Sequence, residues 1–309
     1  MNSMLATFEK AALVAGKAIL DVQKAGPNTS YKADRSPVTE ADEQAEAIIL
    51  AELARACPDI PVVAEEAVAI GRIPAIEGRS FILVDPLDGT KEFISGYPDF
   101  TVNIALIEDG VPVLGVVYAP ALHVAYLGGG GEAVKLVIDE DMAVSSREAI
   151  SARPVETPPV AVASRSHSSA ETEAFLKTSG ASDIRCIGSS LKFCLLAEGA
   201  ADLYPRFGRT MEWDTAAGDA VLRAAGGATL QLDGGPLRYG KLPGGPAWWI
   251  SSIPISSPGD GVRTRPEVTG QRIAAGHTMV TETADFRAHD ANFTESHRSE
   301  VLPRKCRSN

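Results

Sequence analysis

The stretch F-I-L-V-D-P-L-D-G-T-K-E-F, Phe81 to Phe93, decides how this chain is read. Its first four residues are uniformly apolar, as in a buried strand, which delivers Asp85. Pro86 turns the chain, Asp88 follows three residues after Asp85, and Gly89 and Thr90 open a helical turn. Two carboxylates at a strand exit, beside backbone N–H groups at a helix start, suit a phosphate held through a hard divalent cation such as Mg²⁺. An isolated Asp-Gly here would equally make a plain turn with an N-cap, so the acidic neighbours decide.

Glu65 and Glu66 follow a predicted strand at Ile60 to Val63, and Asp214 stands in E-W-D-T-A-A-G before a predicted helix at Thr215 to Ala225. Taken singly, adjacent glutamates make a solvated loop and an Asp before T-A-A-G makes an N-cap. Taken together, three separate strand ends or helix starts each present a carboxylate, as a two-metal site requires. Asp42 stands three residues after Thr39 in a T-x-x-D capping pattern, ahead of a helix over Glu40 to Ala56.

Leu5, Phe8, Ala12, Ala15, Ile19 and Val22 form the apolar stripe of a first helix, which Gly26-Pro27 stops. Thr101 to Ile107 and Val113 to Tyr118 flank the hairpin signal Asp109-Gly110. His123 to Leu127 and Ala133 to Val137 flank a glycine-rich turn, which lacks the helix a phosphate loop would need. From about residue 140, strands at Pro159 to Ala163, Ile184 to Ile187, Leu203 to Tyr204 and Thr229 to Leu232 alternate with helices at Glu171 to Thr178, Leu191 to Glu198 and Thr215 to Ala225. The expected organisation is an α+β half over residues 1–140, a smaller α/β half over 141–245, and an atypical, poorly ordered tail over 246–309. Layered sheets and helices with a cleft between them are a usual setting for a small-molecule site.

With 309 residues, 45% of them apolar, and a net charge of −11, the chain is an ordinary globular protein whose field disfavours a nucleic-acid polymer. An enzyme acting on a phosphorylated small molecule must then gather positive charge locally. No apolar run reaches a membrane-spanning length. Cys57, Cys186, Cys194 and Cys306 lack metal-type spacing, and Cys186 and Cys194 read as core thiols, which points to a reducing cytoplasm. No pattern in the chain speaks to oligomeric state.

The combination A-E-E, D-P-L-D-G-T and W-D-T-A-A-G resembles the inositol monophosphatase superfamily of lithium-sensitive, Mg²⁺-dependent phosphatases. T-K-E-F, S-R-S-H at Ser164 to His167, G-S-S-L-K-F-C-L at Gly188 to Leu195, and Y-P-R-F-G at Tyr204 to Gly208 resemble its bacterial 3'(2'),5'-bisphosphate nucleotidases. The resemblance implies a layered αβαβα sugar-phosphatase-like fold, two or three Mg²⁺ ions, and hydrolysis of adenosine 3',5'-bisphosphate to AMP. It assigns one metal to Glu65, Asp85 and the Leu87 carbonyl, and a second to Asp85, Asp88 and Asp214. Thr90 with Glu65 would orient the attacking water, and Asp42 would lie near the metal site. Asp88, Gly89, Thr90 and Asp214 would also meet the substrate, as would Leu87. Ser164, Arg165, His167, Ser189, Lys192 and Arg206 are candidates for gripping the nucleotide, because a phosphate without a metal calls for Lys or Arg. Tyr204 reads equally as a base-stacking or a core residue. An inositol or sugar phosphatase, and a non-catalytic nucleotide- or metal-binding homologue, are the competing readings.

After Gly240 the resemblance stops. Family members close with F-L-N-P-x-F, whereas this chain runs W-W-I-S-S-I-P-I-S-S-P-G and then fifty residues without periodicity. One coding of Trp249 to Gly259, read from its third base, gives Asp-Phe-Leu-Asn-Pro-His-Phe. The expectation is a frameshift shortly before Trp249, with the tail, and its histidines, carrying no function.

Overall fold

A computed structural model of the chain describes residues 3–166, 168–241 and 249–255. Helix α1 (Ser3–Ala25) buries the expected stripe, including Leu5, Phe8, Ala15 and Ile19. A short hairpin follows, β1 (Thr29–Tyr31) and β2 (Pro37–Thr39), whose polar residues gave no strand signal. Helix α2 (Glu40–Ala56) starts at Thr39, and the capping box closes as its sequence pattern requires: Thr39 N–H donates to Asp42 Oδ2 at 2.8 Å.

Strand β3 (Val62–Ala64) runs parallel to β4 (Phe81–Asp88), with the one-turn helix α3 (Glu65–Ala69) between them. After α4 (Thr90–Ile94) come β5 (Thr101–Glu108), β6 (Val111–Ala119), β7 (Val124–Gly129), β8 (Glu132–Ile138) and β9 (Val144–Ile150). These five form an antiparallel meander, and the seven-stranded sheet lies in simple chain order from β3 to β9. Tight turns at Asp109-Gly110 and Gly130-Gly131 adopt positive φ, which reverses the chain within two residues. Strand β9 pairs with β8, so the first half ends near Ile150 and not at the expected residue 140. Its exposed, charged residues show no apolar alternation, which is why the reading stopped short.

The second half contains β10 (Val160–Ser164), α5 (Ala170–Thr178), β11 (Asp183–Ile187), α6 (Leu191–Ala197), β12 (Arg206–Met211), α7 (Trp213–Ala224), β13 (Ala228–Leu230) and β14 (Trp249–Ile255). β10 and β11 are parallel, and β14 lies antiparallel between β12 and β13. That strand lies within the atypical tail segment, where Ile250, Ile253 and Ile255 favour extended backbone. The remainder of the tail lies outside the described residues, as do Cys306 and the tail histidines. Cys57 and Cys194 are buried free thiols. Cys186 is half-buried and disulfide-bonded, which corrects its reading as a core thiol. Among the described residues no helix is long and apolar enough to cross a membrane.

Period-two alternation divides the large sheet between two cores. Ile82, Val84, Val102 and Ile104 pack under α1 and α2 against Phe8, Ile19, Ile49 and Leu53. Leu83, Ala105, Ile107 and Val117 face the other way, onto Phe193, Leu196, Val221 and Leu222 of α6 and α7. Beyond those helices, Ala161, Ala163 and Leu203 meet Leu176 of α5. The layers therefore run helix, sheet, helix, sheet, helix. Two glycines set the depth at which α7 docks. A Cβ on Gly115 would lie 2.5 Å from the Ala217 carbonyl, and one on Gly128 would lie 2.5 Å from Val221 Cα.

Candidate active site

Strand β4 continues through D-P-L-D instead of ending at Val84, because a bulge between Asp85 and Asp88 absorbs Pro86, which has no N–H for the ladder. Asp85 follows Phe81 and Leu83 on the α6/α7 face and is 2% exposed. Its Oδ1 accepts from Leu87 N–H at 3.0 Å. Gly89 takes the left-handed conformation, φ 93°, that swings the chain into α4 and presents Thr90. Asp214 lies in the first turn of α7, with Glu212 at the N-cap position, which corrects its reading as the cap itself. Its Oδ2 accepts from Thr210 Oγ1 at 2.8 Å and from Met211 N–H at 3.0 Å.

A cavity of about 260 Å³ opens between the two halves. Its lining includes the acidic set Glu65, Asp85, Asp88 and Asp214 with Leu87, Gly89 and Thr90, termed the acidic wall, and the cationic set Lys192 and Arg206 with Ser164 and Ser189, termed the cationic wall. Asp42 stands behind the acidic wall and accepts from Thr90 Oγ1 at 3.1 Å. Arg165 is drawn elsewhere. Its guanidinium pairs with buried Asp99 at 2.6 Å and lies 4.5 Å from the centre of the Tyr97 ring, away from the cavity lining. His167 lies outside the described residues. Tyr204 is 5% exposed, packs edge-on against Phe193, and offers only part of its surface to the cavity.

Burial raises the Asp85 carboxyl well above its usual range, and Glu65, Asp88 and Asp214 add repulsion. Asp88 is pushed up to about 7 by burial and then Asp214, with Lys192 opposing. Asp214 rises to about 6, again through burial and then Glu65. In the cationic wall, burial lowers Lys192 to about 8, while Asp88 pulls the other way. Its ammonium donates to the carbonyls of Ile187, at 3.2 Å, and Ser189, and lies 5.2 Å from the centre of the Tyr204 ring.

Several supporting residues carried no sequence signal. Lys32, on the β1–β2 turn, donates to Glu65 at 2.7 Å and Glu66 at 2.6 Å. Burial works against its charge, but the two glutamates outweigh this and raise its pKa. Glu46 of α2 accepts from the N–H groups of Glu66 and Ala67, both at 2.8 Å, and so anchors the start of α3 where Glu65 sits. Ser36 and Asp34 bring the same β1–β2 turn to the cavity mouth. All of these come from segments distant in sequence.

The family model described as the inositol monophosphatase family matches residues 1–247. The chain belongs to the inositol monophosphatase family. Within it, the chain is 48% identical to the 3'(2'),5'-bisphosphate nucleotidase CysQ of Escherichia coli O157:H7, over 73% of this chain and 89% of that one. It is 50% identical to the protein of the same name from Escherichia coli K12, over 67% and 81%. The crystal structure of CysQ from Bacteroides thetaiotaomicron superposes with a TM-score of 0.68 at 37% identity, covering 83% of this chain and 98% of that one. The family match ends at residue 247, just before the W-I-S-S-I-P-I segment that departs from the family's closing motif.

The metals this family uses can be tested against the donor set. Among the described residues, no three Asp, Glu, His or Cys side chains converge closely enough to form a finished metal cage. The reason is visible: Glu65 is held by Lys32, and Asp85 turns one oxygen back to Leu87 N–H. The chemistry nevertheless fits. Buried carboxylates that raise one another's pKa, with hard oxygens only, are short of positive charge, which divalent cations supply.

Proposed function

We propose that the chain is a phosphoric monoester hydrolase that removes the 3'-phosphate of adenosine 3',5'-bisphosphate, giving AMP and inorganic phosphate with Mg²⁺ as cofactor. The observation that carries this reading is one cavity whose lining combines buried carboxylates with the cations Lys192 and Arg206, Lys192 acting electrostatically on Asp88. A bisphosphate needs both: one phosphate beside the acidic wall, the other on side-chain cations. The bisphosphate nucleotidases at 48–50% identity support the same substrate class.

Glu65, Asp85, the Leu87 carbonyl, Asp88 and Asp214 are the residues that would hold the metal ions. When bound, these ions offset phosphate charge and acidify water. The chain's own residues do the rest. Thr90 Oγ1–H is shared between Asp42 Oδ1 at 3.1 Å and the Leu87 carbonyl at 3.2 Å, which leaves the Thr90 lone pairs to accept from a water and aim it at phosphorus. Burial raises the Asp42 carboxyl, so it is a better proton acceptor than an exposed Asp. Thr39 N–H and Oγ1 both donate to Asp42 Oδ2 at 2.8 Å, keeping Oδ1 turned to Thr90. Lys192 stays largely protonated at neutral pH and binds the second phosphate, and Arg206 adds a planar donor set beside it.

The test is release of phosphate from adenosine 3',5'-bisphosphate and from inositol 1-phosphate, each with Mg²⁺ and with chelator. Faster Mg²⁺-dependent release from the nucleotide is the expected result. Faster release from inositol 1-phosphate would make the chain an inositol phosphatase, and binding without release would make it a non-catalytic homologue.

A further inference from the structure

Behind Asp88 lies a line of buried polar side chains that neither the carboxylate wall nor the cationic wall accounts for. Thr101 and Asn103 share the face of β5 that points to α6, one residue apart in the strand's alternation, and are 0% and 1% exposed. Asn103 Nδ2 donates to Asp88 Oδ2 at 3.3 Å. Asn103 Oδ1 accepts from Ser190 Oγ at 2.7 Å, and Ser190 Oγ lies 2.9 Å from Thr101 Oγ1. Ser190, 2% exposed, also gives its backbone N–H to Asp88.

The direction of every proton in this line is determined. Ser190 Oγ–H is spent on Asn103 Oδ1, so Ser190 accepts from Thr101. An ionised Asp88 can only accept, so the Asn103 amide N–H₂ faces it and the Asn103 carbonyl faces Ser190. Asp88 comes from β4 in the first half, whereas Ser190 belongs to the turn that carries Ser189 and Lys192 in the second. The line thus joins Asp88 of the first half to Ser190 of the second through Asn103, beside the Ser190 N–H that reaches Asp88 directly.

We propose that Asn103 is a positioning residue that fixes the Asp88 carboxylate from behind, with Thr101 and Ser190 setting the orientation of its amide. Asp88 Oδ2 is tied back to the Asn103 amide. Because Ser190 shares the line, the separation of the acidic wall from Lys192 is held by the same bonds. The inference rests on the two-metal reading of the site and extends it to Asn103 and Thr101, which do not line the cavity.

The experiment compares Asn103→Leu, Thr101→Val and Thr101→Ser with the parent. Mn²⁺ uptake without substrate is measured from the electron paramagnetic resonance signal of the free ion, alongside kcat, KM and the melting temperature. Outer-shell partners of metal ligands typically matter by roughly tenfold to a hundredfold, and Asn103→Leu is expected to weaken Mn²⁺ uptake by that factor. Thr101→Val, similar in shape but without the first donor, should weaken it severalfold, and Thr101→Ser should restore it. Unchanged Mn²⁺ uptake in both Asn103→Leu and Thr101→Val, whatever their melting temperatures, overturns the proposal. If Asn103→Leu does not fold, the Thr101 pair decides. A parent that takes up no Mn²⁺ defeats the metal reading as well, whereas normal uptake with no bisphosphate hydrolysis defeats only the assigned substrate.

Discussion

The two walls of the cavity are built on opposite principles. The acidic wall gathers Glu65, Asp85, Asp88 and Asp214, whose charges repel one another, and burial with that repulsion raises the pKa values of the three aspartates. The cationic wall places Lys192 on carbonyl oxygens of its own turn and over the Tyr204 ring, contacts that offset only part of the burial that lowers its pKa. Both hold buried charge, but the acidic wall packs like charges together, whereas Lys192 already has hydrogen-bond partners of its own. The difference teaches that the chain stores its demand for cations on one side and its fixed recognition element on the other, a division in which stability is traded for function.

Asp85→Asn should break the comparison most severely. Losing the carboxylate shared by the two proposed metal positions is expected to reduce phosphate release by about 10³-fold, consistent with the several kcal/mol that metals contribute. The same change removes repulsion with Glu65, Asp88 and Asp214, so the metal-free protein should melt at a higher temperature. Calorimetry with and without Mg²⁺ checks both signs, and a lower metal-free melting temperature would contradict this account of the acidic wall.

Asp42→Asn keeps an oxygen for the helix cap while removing the charge that accepts the Thr90 hydrogen bond. A fall in kcat of about 10²-fold with little change in KM is expected from steady-state kinetics. Parental kcat would remove Asp42 from the chemistry. On the cationic wall, Lys192→Met retains most of the side-chain volume. KM for the bisphosphate should rise roughly tenfold to a hundredfold, the worth of a charge-assisted hydrogen bond, and discrimination against inositol 1-phosphate should shrink with it. An unchanged substrate ratio would show that recognition lies elsewhere.

The smallest effect on activity is expected at Arg165, which holds Asp99 and not the cavity. Arg165→Ala leaves a buried carboxylate without its partner and should destabilise the fold by about 3 kcal/mol, read by urea unfolding, with only a severalfold loss of rate. Asp99 also gives a pH signature. Burial alone would raise its carboxyl, but Arg165 and the Gly188 N–H outweigh this and hold it below its ordinary value. Its contribution is therefore complete above its unfolded pKa, near pH 4, and lost as pH falls through the lower folded value. In Asp99→Asn the acid limb of the stability curve should flatten there. An unaltered acid limb would discount the pair.

Much of the fold was legible because its signals are local. The capping box at Thr39 and Asp42, the stripe of α1, and the hairpin turns at Asp109-Gly110 and Gly130-Gly131 each depend on residues within a few positions. Strand β9, the β1–β2 hairpin and β14 were not, because their pairing is decided by neighbours and not by their own alternation. The carboxylates could be found for the same local reason, since strand exits and helix starts are written in the sequence. Arg165 was misplaced because a cation near a motif looks the same in sequence whether it faces a ligand or an internal carboxylate. Lys32, Glu46 and Asn103 gave no signal, as each acts through a hydrogen bond to a distant segment.

By itself, then, the sequence determined that carboxylates leave ordered elements at Glu65, Asp85, Asp88 and Asp214, and that the chain departs from its family's pattern near Trp249. Period, capping and turn chemistry are properties of neighbouring residues, so they survive in one dimension. Only the tertiary structure decided which cations face those carboxylates, how deeply α7 docks on Gly115 and Gly128, and which buried amide stands behind Asp88. Those are questions of burial and through-space charge, and both take their values only when segments far apart in the chain are packed together.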